Sequence, residues 1–293
     1  MVIATGFFDG VHLGHRFILQ QLLEEARKRG DESRVVTFWP HPRNVLQNDA
    51  RNLRLLTSME EKKKLLTDIG IDKVEVIPFS REFSRLTTED YLRDYVIARF
   101  GGKAVLVGYD NRIGSDLCTP EQTSEIAEKL GLEVIRPMSF KTDNGIVISS
   151  TKIRNALSEG NIDEANAMLG YPYQLYGVVI SGNRLGHTIG FPTANMQLYE
   201  PLKLVPGNGV YLVKVETLGR QWDGMCNIGV RPTLGSGNAL TIETNIFDFD
   251  EDIYGLDIRL SFVKKIRNEV KFNDLALLTS QLDKDRELCR SLL

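Results

Sequence analysis

The sequence predicts an α/β domain followed by a β-rich domain closed by a helix, and three observations carry that expectation. Over the first half, short apolar runs alternate with helical periodicities, the signature of a parallel sheet. After roughly position 170, extended runs succeed one another with Gly, Pro and Asn between them. Gly170-Tyr171-Pro172 punctuates the change, so the expected domains are 1–170 and 171–293. A chain of 293 residues is long enough for each to bury its own core.

Val2–Thr5 is the first expected strand, and Ile18, Leu22, Leu23 and Ala26 then recur at helical spacing until Gly30. Val35–Trp39 reads as a strand. Thr57 with Glu60 reads as a capping box opening a helix through Lys62–Ile69, with Gly70 at its end. Val74–Ile77 is extended, Thr88–Phe100 helical, Ala104–Val107 extended, Pro120–Leu130 helical and Val134–Ile135 extended. In such a sheet, ligands bind where strands end and helices begin. Ile153–Leu169 is a helical bridge to the second half. There Tyr173–Ser181, Val210–Glu216, Met225–Ile228, Leu240–Phe247 and Leu256–Val263 are β-rich. Leu275, Leu278, Leu282 and Leu288 are expected to share one face of a closing helix.

With 36 basic against 39 acidic residues, the net charge of −3 gives no electrostatic reason to expect a nucleic-acid partner. The start has neither the basic nor the apolar region of a secretory signal, and no apolar run is long enough to span a bilayer. Cys118, Cys226 and Cys289 are far apart and odd in number, which fits a reducing compartment and excludes a zinc ribbon or a CxxC site. A soluble cytosolic enzyme is expected, with no nucleic-acid, membrane or obligate protein partner.

Gly6-Phe7-Phe8-Asp9-Gly10-Val11-His12-Leu13-Gly14-His15 links the first strand to the first helix. A helix starting there presents unpaired N–H groups and the positive end of its dipole, so anions bind. Gly10 and Gly14 let the backbone approach a phosphate, and His12 and His15, three apart, can face the same one. A tight turn with surface histidines would read alike. Ile148-Ser149-Ser150-Thr151-Lys152-Ile153-Arg154 supplies hydroxyls at a helix start and a basic first turn, a second anion seat. Trp39-Pro40-His41-Pro42 and Asp110 follow strand ends, as turn residues or as ligand contacts.

Further on, Gly182, Gly186 and Gly190 space a loop that carries Arg184 and His187 and can fold over phosphates. Pro192-Thr193-Ala194-Asn195 is extended, so Thr193 and Asn195 point the same way and offer two neutral oxygen donors suited to Mg²⁺. Asn227-Ile228-Gly229-Val230-Arg231-Pro232-Thr233 reads as a polar turn. Strict alternation turns Glu243 to solvent opposite Ile242; beside a Mg·ATP seat it would instead take a proton from an attacking hydroxyl.

His12–His15 as HxGH with the intact ISSTKIR resembles the HxGH nucleotidyltransferase superfamily. Its members run direct attack of an acceptor on the α-phosphorus of ATP, by positioning and charge stabilisation. Thr193 and Asn195 in PTAN, Asn227–Thr233, the Glu243 strand, Tyr254-Gly255 and Ile266–Phe272 occur in the order seen in riboflavin kinases. Together the chain resembles the bifunctional riboflavin kinase/FAD synthetases of bacteria. The resemblance implies a Rossmann-like α/β nucleotidyltransferase domain followed by a six-stranded antiparallel β-barrel with a C-terminal helix. It implies that the barrel phosphorylates riboflavin to FMN using ATP and Mg²⁺, with Glu243 as base, Thr193 and Asn195 on metal and phosphate, and Arg267 and Glu269 on the flavin side. Gly182, Arg184, Gly186, Gly190 and Pro192 would complete that phosphate seat. The first domain would join FMN to AMP, with His12, His15, Gly6, Phe8, Asp9, Gly10, Gly14, Ser150, Thr151 and Arg154 on the ATP phosphates. His41 and Asp110 would lie on the flavin or nucleotide side.

Two departures stand out. The family's aromatic G-x-D-F-x-F-G reads Gly108-Tyr109-Asp110-Asn111-Arg112-Ile113-Gly114, without either phenylalanine, and Ser115–Cys118 replaces a basic stretch. The chain also starts almost at the first motif, so the sheet edge that a leader forms in many other members is expected to be missing or built otherwise. The departures motivate an alternative: a riboflavin kinase whose first domain adenylylates weakly or only binds nucleotide. A nucleotide sensor without catalysis is a third reading, in which Glu243 has no use.

Overall fold

In the computed structural model of the chain, the described residues are 1–46, 53–108, 113–138, 140, 147–182, 186, 189–232 and 238–293. Two compact units divide at Ser150/Thr151.

The first unit is the expected parallel sheet, in the order β3-β2-β1-β4-β5. Its strands are β1 Val2–Thr5, β2 Ser33–Trp39, β3 Lys73–Pro78, β4 Ala104–Leu106 and β5 Glu133–Ile135. Helix α1 (Leu13–Arg29) buries Leu19, Leu22, Leu23 and Ala26 against Val2, Ala4 and Val35, and Gly30 ends it at φ +61°. Helices α2 (Pro42–Leu46) and α3 (Met59–Ile69) follow β2, and α5 (Pro120–Lys129) follows β4. Val2 and Ala4 pack on one side, Ile3 on the other, as strand alternation requires.

Two details differ from the sequence reading. The capping box of α3 is Ser58 with Glu61, one residue later than Thr57 with Glu60. The Thr57 hydroxyl is engaged by Asp9 and Gly10, so Ser58 is left to cap. The stretch Thr88–Phe100 is helical but not uniformly α: α4 (Thr88–Asp90) runs into a π-helical segment, Tyr91–Arg99. That segment buries Tyr91, Leu92 and Val96.

The second unit is a closed antiparallel barrel in the order β10-β7-β6-β11-β8-β9. Its strands are β6 Gln174–Ile180, β7 Ala194–Leu198, β8 Gly209–Thr217, β9 Arg220–Pro232, β10 Asn238–Ile246 and β11 Asp257–Arg267. The expected polar turn at 227–233 is instead, over its described residues 227–232, the end of β9, because nine consecutive residues of β10 pair with that strand; Thr233 lies outside the described residues. The barrel closes where β10 meets β7 through only two pairs, Glu243↔Asn195 and Thr244↔Ala194.

Helices α6 (Ser150–Glu159) and α7 (Ile162–Leu169) break at Gly160, φ +78°. Beyond Ser150 they pack with the barrel. Asn166 donates to the Phe262 carbonyl and accepts from the Tyr173 amide, and the Gly207 amide donates to Leu157. The sequence changes character at Gly170, but spatial packing groups these helices with the barrel. The closing helix α8 (Leu275–Ser291) buries Asp285 and Cys289, with Leu278 and Leu282 toward the barrel. Leu275 and Leu288 are exposed, so the expected leucine face is corrected. Leu288 lies roughly 80–100° around the helix from the Leu278–Leu282–Asp285–Cys289 stripe.

Candidate active sites

The first site is built by the turn after β1. Asp9 is buried, and its carboxylate accepts from the Leu56 and Thr57 amides at 3.1 Å and from the Thr57 hydroxyl at 3.2 Å. The Gly10 amide donates back to Thr57 Oγ1. This clamp fixes a loop in which Phe8, Gly10 and Val11 all take positive φ. The Asp9 carboxylate is thus bonded to the Leu56–Thr57 segment that precedes α3.

His12 is the N-cap of α1: its Nδ1 accepts from the His15 amide at 3.3 Å. The two rings stack at 3.7 Å and 15°, side by side at the start of α1. Gly14 leaves room for this, because a Cβ there would stand 3.3 Å from the His12 ring. Phe8 meets His15 edge-on, and a Cβ on Gly6 would press on the Phe8 ring at 3.0 Å. His15 Nδ1 is buried without a hydrogen-bond partner among the described residues. Burial, then the charges of His12 and Lys62, hold its pKa well below the usual histidine value.

Ser150 Oγ donates to the Asp9 carbonyl at 3.0 Å, so the second motif starts against the first. Thr151, exposed, and Arg154, half-buried, follow on α6 within the second unit. His41 Nδ1 accepts from the Arg43 amide, and its ring lies 4.1 Å from Phe7. Asp110 lies outside the described residues, as do Arg184 and His187.

Beside Gly6 and Phe7 opens a cavity of about 460 Å³ walled by Phe38, Phe79, Phe83 and Tyr91. Sequence reasoning missed this wall. Phe79 and Phe83 carry no motif, and their four-residue spacing is that of any packed turn. Lys62 was also missed, since a charge at the start of an amphipathic helix is normally solvated.

The second site occupies a cavity of about 240 Å³ between barrel and α8. Thr241, Glu243 and Asn245 line it from alternate positions of β10, so Glu243 faces this cavity and not open solvent. Glu243 pairs in register with Asn195 on one side and Asn227 on the other. Thr193 and Asn195 share the wall as expected. Pro192 contributes its carbonyl, which accepts from Asn245 Nδ2 at 2.8 Å. Gly182 is required by packing: a Cβ would lie 2.3 Å from Asn195 Nδ2. At Gly186 it would lie 2.2 Å from the Phe191 carbonyl, and Gly190 takes φ +79°.

Arg267 and Glu269 line the same cavity. Arg267 is held by Asp285 of α8 (Nε–Oδ2 2.9 Å, Nη2–Oδ2 2.7 Å), and Glu269 accepts from Asn208 at 3.1 Å. On its other side Thr193 borders a second cavity, of about 350 Å³, with Pro192, Thr244 and Asp250–Tyr254. Thr193 is thus a shared wall. Among the described residues no cluster of three His, Cys, Asp or Glu forms a ready metal cage. Thr193, Asn195 and Glu243 instead offer a sparse set of hard oxygen donors, which fits a cation that also binds substrate phosphates.

An α/β unit with a histidine-bearing phosphate loop, joined to a closed barrel with a carboxylate beside paired oxygen donors, defines a nucleotide-handling transferase of two sites. The chain belongs to the bifunctional riboflavin kinase/FMN adenylyltransferase family. The FAD synthetase family matches residues 1–152 and the riboflavin kinase family residues 169–293. The Listeria monocytogenes bifunctional riboflavin kinase/FMN adenylyltransferase is 37% identical, over 99% of this chain and 91% of its own. The Escherichia coli K12 protein of the same description is 38% identical over 99% and 91%. A crystal structure described as a macrolide-efflux protein from Streptococcus pneumoniae matches at TM-score 0.91 and 33% identity, over 99% of this chain and 93% of its own. Among the described residues of the present chain no helix is long and apolar enough to cross a membrane.

Proposed function

We propose that the chain makes FAD in two steps, at two sites: phosphorylation of riboflavin to FMN at the expense of ATP, then adenylylation of FMN with release of pyrophosphate. Full-length similarity to bifunctional relatives favours this over a kinase with a spent first domain. In functional terms 1–170 is the adenylyltransferase and 171–293 the kinase.

The observation that carries the kinase assignment is Thr193 standing between two cavities, with Glu243 across the strand pair from Asn195. Riboflavin would occupy the cavity of Arg267, Glu269 and Phe272, and ATP the one bordered by Asp250–Tyr254. Glu243 takes the proton of the ribityl 5′-hydroxyl as its oxygen attacks the γ-phosphorus, and ADP leaves. Thr193 and Asn195 hold the phosphate, with Gly182, Gly186, Gly190 and Arg184 of the preceding loop. Mg²⁺ on Thr193 and Asn195 would neutralise phosphate charge.

At the first site a phosphate oxygen of FMN attacks the α-phosphorus of ATP. No protein nucleophile is needed. His12 and His15, with the backbone of Gly10 and Gly14, position the phosphates at the start of α1, and Ser150, Thr151 and Arg154 assist. The aromatic cavity beside Phe7 and His41 suits an isoalloxazine ring. The enzyme acts in the cytoplasm on small molecules.

A time course of riboflavin, FMN and FAD by fluorescence-detected chromatography, with ATP and Mg²⁺, tests both steps. FAD formed from riboflavin and, separately, from FMN is the expected result. FMN that accumulates and goes no further would overturn the first-site assignment.

A further inference from the structure

One buried charge has no part in the chemistry above. Lys62, in the first turns of α3, is fully buried, and its Nζ has no hydrogen-bond partner among the described residues. It lies 3.4 Å over the Phe7 ring. An ammonium group removed from water without hydrogen bonds is expensive to keep, and the aromatic face returns only part of the loss. Burial pushes its pKa down to about 8, against the opposite pull of Asp9.

A purely structural counter-charge for Asp9 explains this poorly, because that carboxylate already accepts from two amides and a hydroxyl. The surroundings of Lys62 point elsewhere. Phe7 and Asp9 belong to the phosphate loop, and His15 feels the Lys62 charge directly. His15 Nδ1 is likewise buried and unpartnered. Two buried nitrogens without hydrogen-bond partners among the described residues therefore border the loop that runs into α1, one on the His15 ring of that helix and one over Phe7, and a helix start favours anions.

We propose that Lys62 is a charge-supplying residue of the adenylyl transfer, its ammonium acting on the phosphates gathered at the His12–His15 loop. The inference rests on the first unit being the FMN adenylyltransferase. As the FMN phosphate oxygen bonds to the α-phosphorus, the bond to pyrophosphate breaks, and two anions must approach one another. Lys62 offsets that repulsion without giving up its proton. Phe7 and the surrounding burial keep water from the cation, which keeps its field strong.

The test uses the full chain with Lys62→Met, close in length and uncharged, and Lys62→Arg. Lys62→Met is expected to lower kcat/KM for FAD formation from FMN by ~10²–10³-fold, the loss typical of one preorganised electrostatic group. Riboflavin phosphorylation and the melting temperature should be unchanged or, for the latter, raised. Lys62→Arg should retain more FAD formation than Lys62→Met. The wild-type profile of kcat/KM should fall above about pH 8, and that limb should vanish in Lys62→Met. Wild-type FAD formation in Lys62→Met would overturn the inference alone. Loss of FAD formation together with a lowered melting temperature that Lys62→Arg does not restore would overturn it too. No FAD from the wild-type chain would overturn both the inference and the reading beneath it.

Discussion

Replacing Asp285 by Ala should loosen the barrel's grip on its own C-terminal helix, and the size of the loss follows from burial. Asp285 is 2% exposed and receives Arg267 through two nitrogens and Gln281 at 2.8 Å. Removing one partner of a fully buried pair costs about 3–5 kcal/mol, because the remaining charge is left unpaired. Arg267 keeps a side-chain exposure of 20% and a bond to the Asn268 carbonyl, which places the loss near the lower end, about 3 kcal/mol. For a unit of this size that corresponds to a fall in melting temperature of about 10 °C. Calorimetry of the full chain would read it, with Asp283→Ala as the control on the same helix. Asp283 is half-exposed in an i,i+3 pair with Arg286, worth a few tenths of a kcal/mol at most. Because Arg267 lines the cavity proposed for riboflavin, KM for riboflavin should rise in Asp285→Ala while FAD formation from FMN holds. Equal effects of the two substitutions would refute the buried-pair reasoning.

Three further outcomes are expected. Glu243→Gln should lower FMN formation ~10²–10⁴-fold, the range for a lost general base, and leave FAD formation from supplied FMN intact; chromatography separates the two. Gly182→Ala places a Cβ 2.3 Å from Asn195 Nδ2, so Asn195 must swing away; a raised KM for ATP in the kinase step, with a normal circular-dichroism spectrum, is the readout. His15 has its folded pKa depressed, so the unfolded chain binds more protons below about pH 6.5. Its contribution to stability is therefore complete above that pH and declines as the pH falls further. Proton NMR of the ligand-free protein should show the His15 ring unshifted between pH 8 and 6, whereas a normal titration there would refute its burial.

The alternation of strands and helices was legible because each buried run in the first unit is bounded by a capping residue or a glycine, as at Gly30 and Gly70. Five of the six barrel strands were found as β-rich runs, three of them cut short and β9 most clearly, whereas β7 (Ala194–Leu198) was read only as the extended segment of Thr193 and Asn195. Gly229 and Pro232 look like turn residues locally, yet cross-strand pairing with β10 carries the strand through them. Thr57 misled for a related reason: both it and Ser58 can cap, and only the Asp9 clamp 48 positions away decides between them. Leu288 was assigned to the buried face on residue type, whereas Asp285 takes that place because Arg267 pairs with it. Glu243 was ambiguous in sequence, since alternation says which residues share a face but not what lies beyond it. The aromatic cavity and Lys62 stayed hidden because both depend on contacts between distant segments.

The barrel is a hoop joined at its narrowest weld, the two residue pairs between β10 and β7. One of those pairs is Glu243 with Asn195, so on the reading proposed above the substrates would bind across the join itself. Occupancy of the site then doubles as a brace: phosphate held by both strands resists their parting. Amide exchange along β7 and the facing part of β10 should accordingly slow when nucleotide is present, more than along the long β8–β9 contact, which needs no such support. A chain starved of ATP would come open first at the place where it does its chemistry.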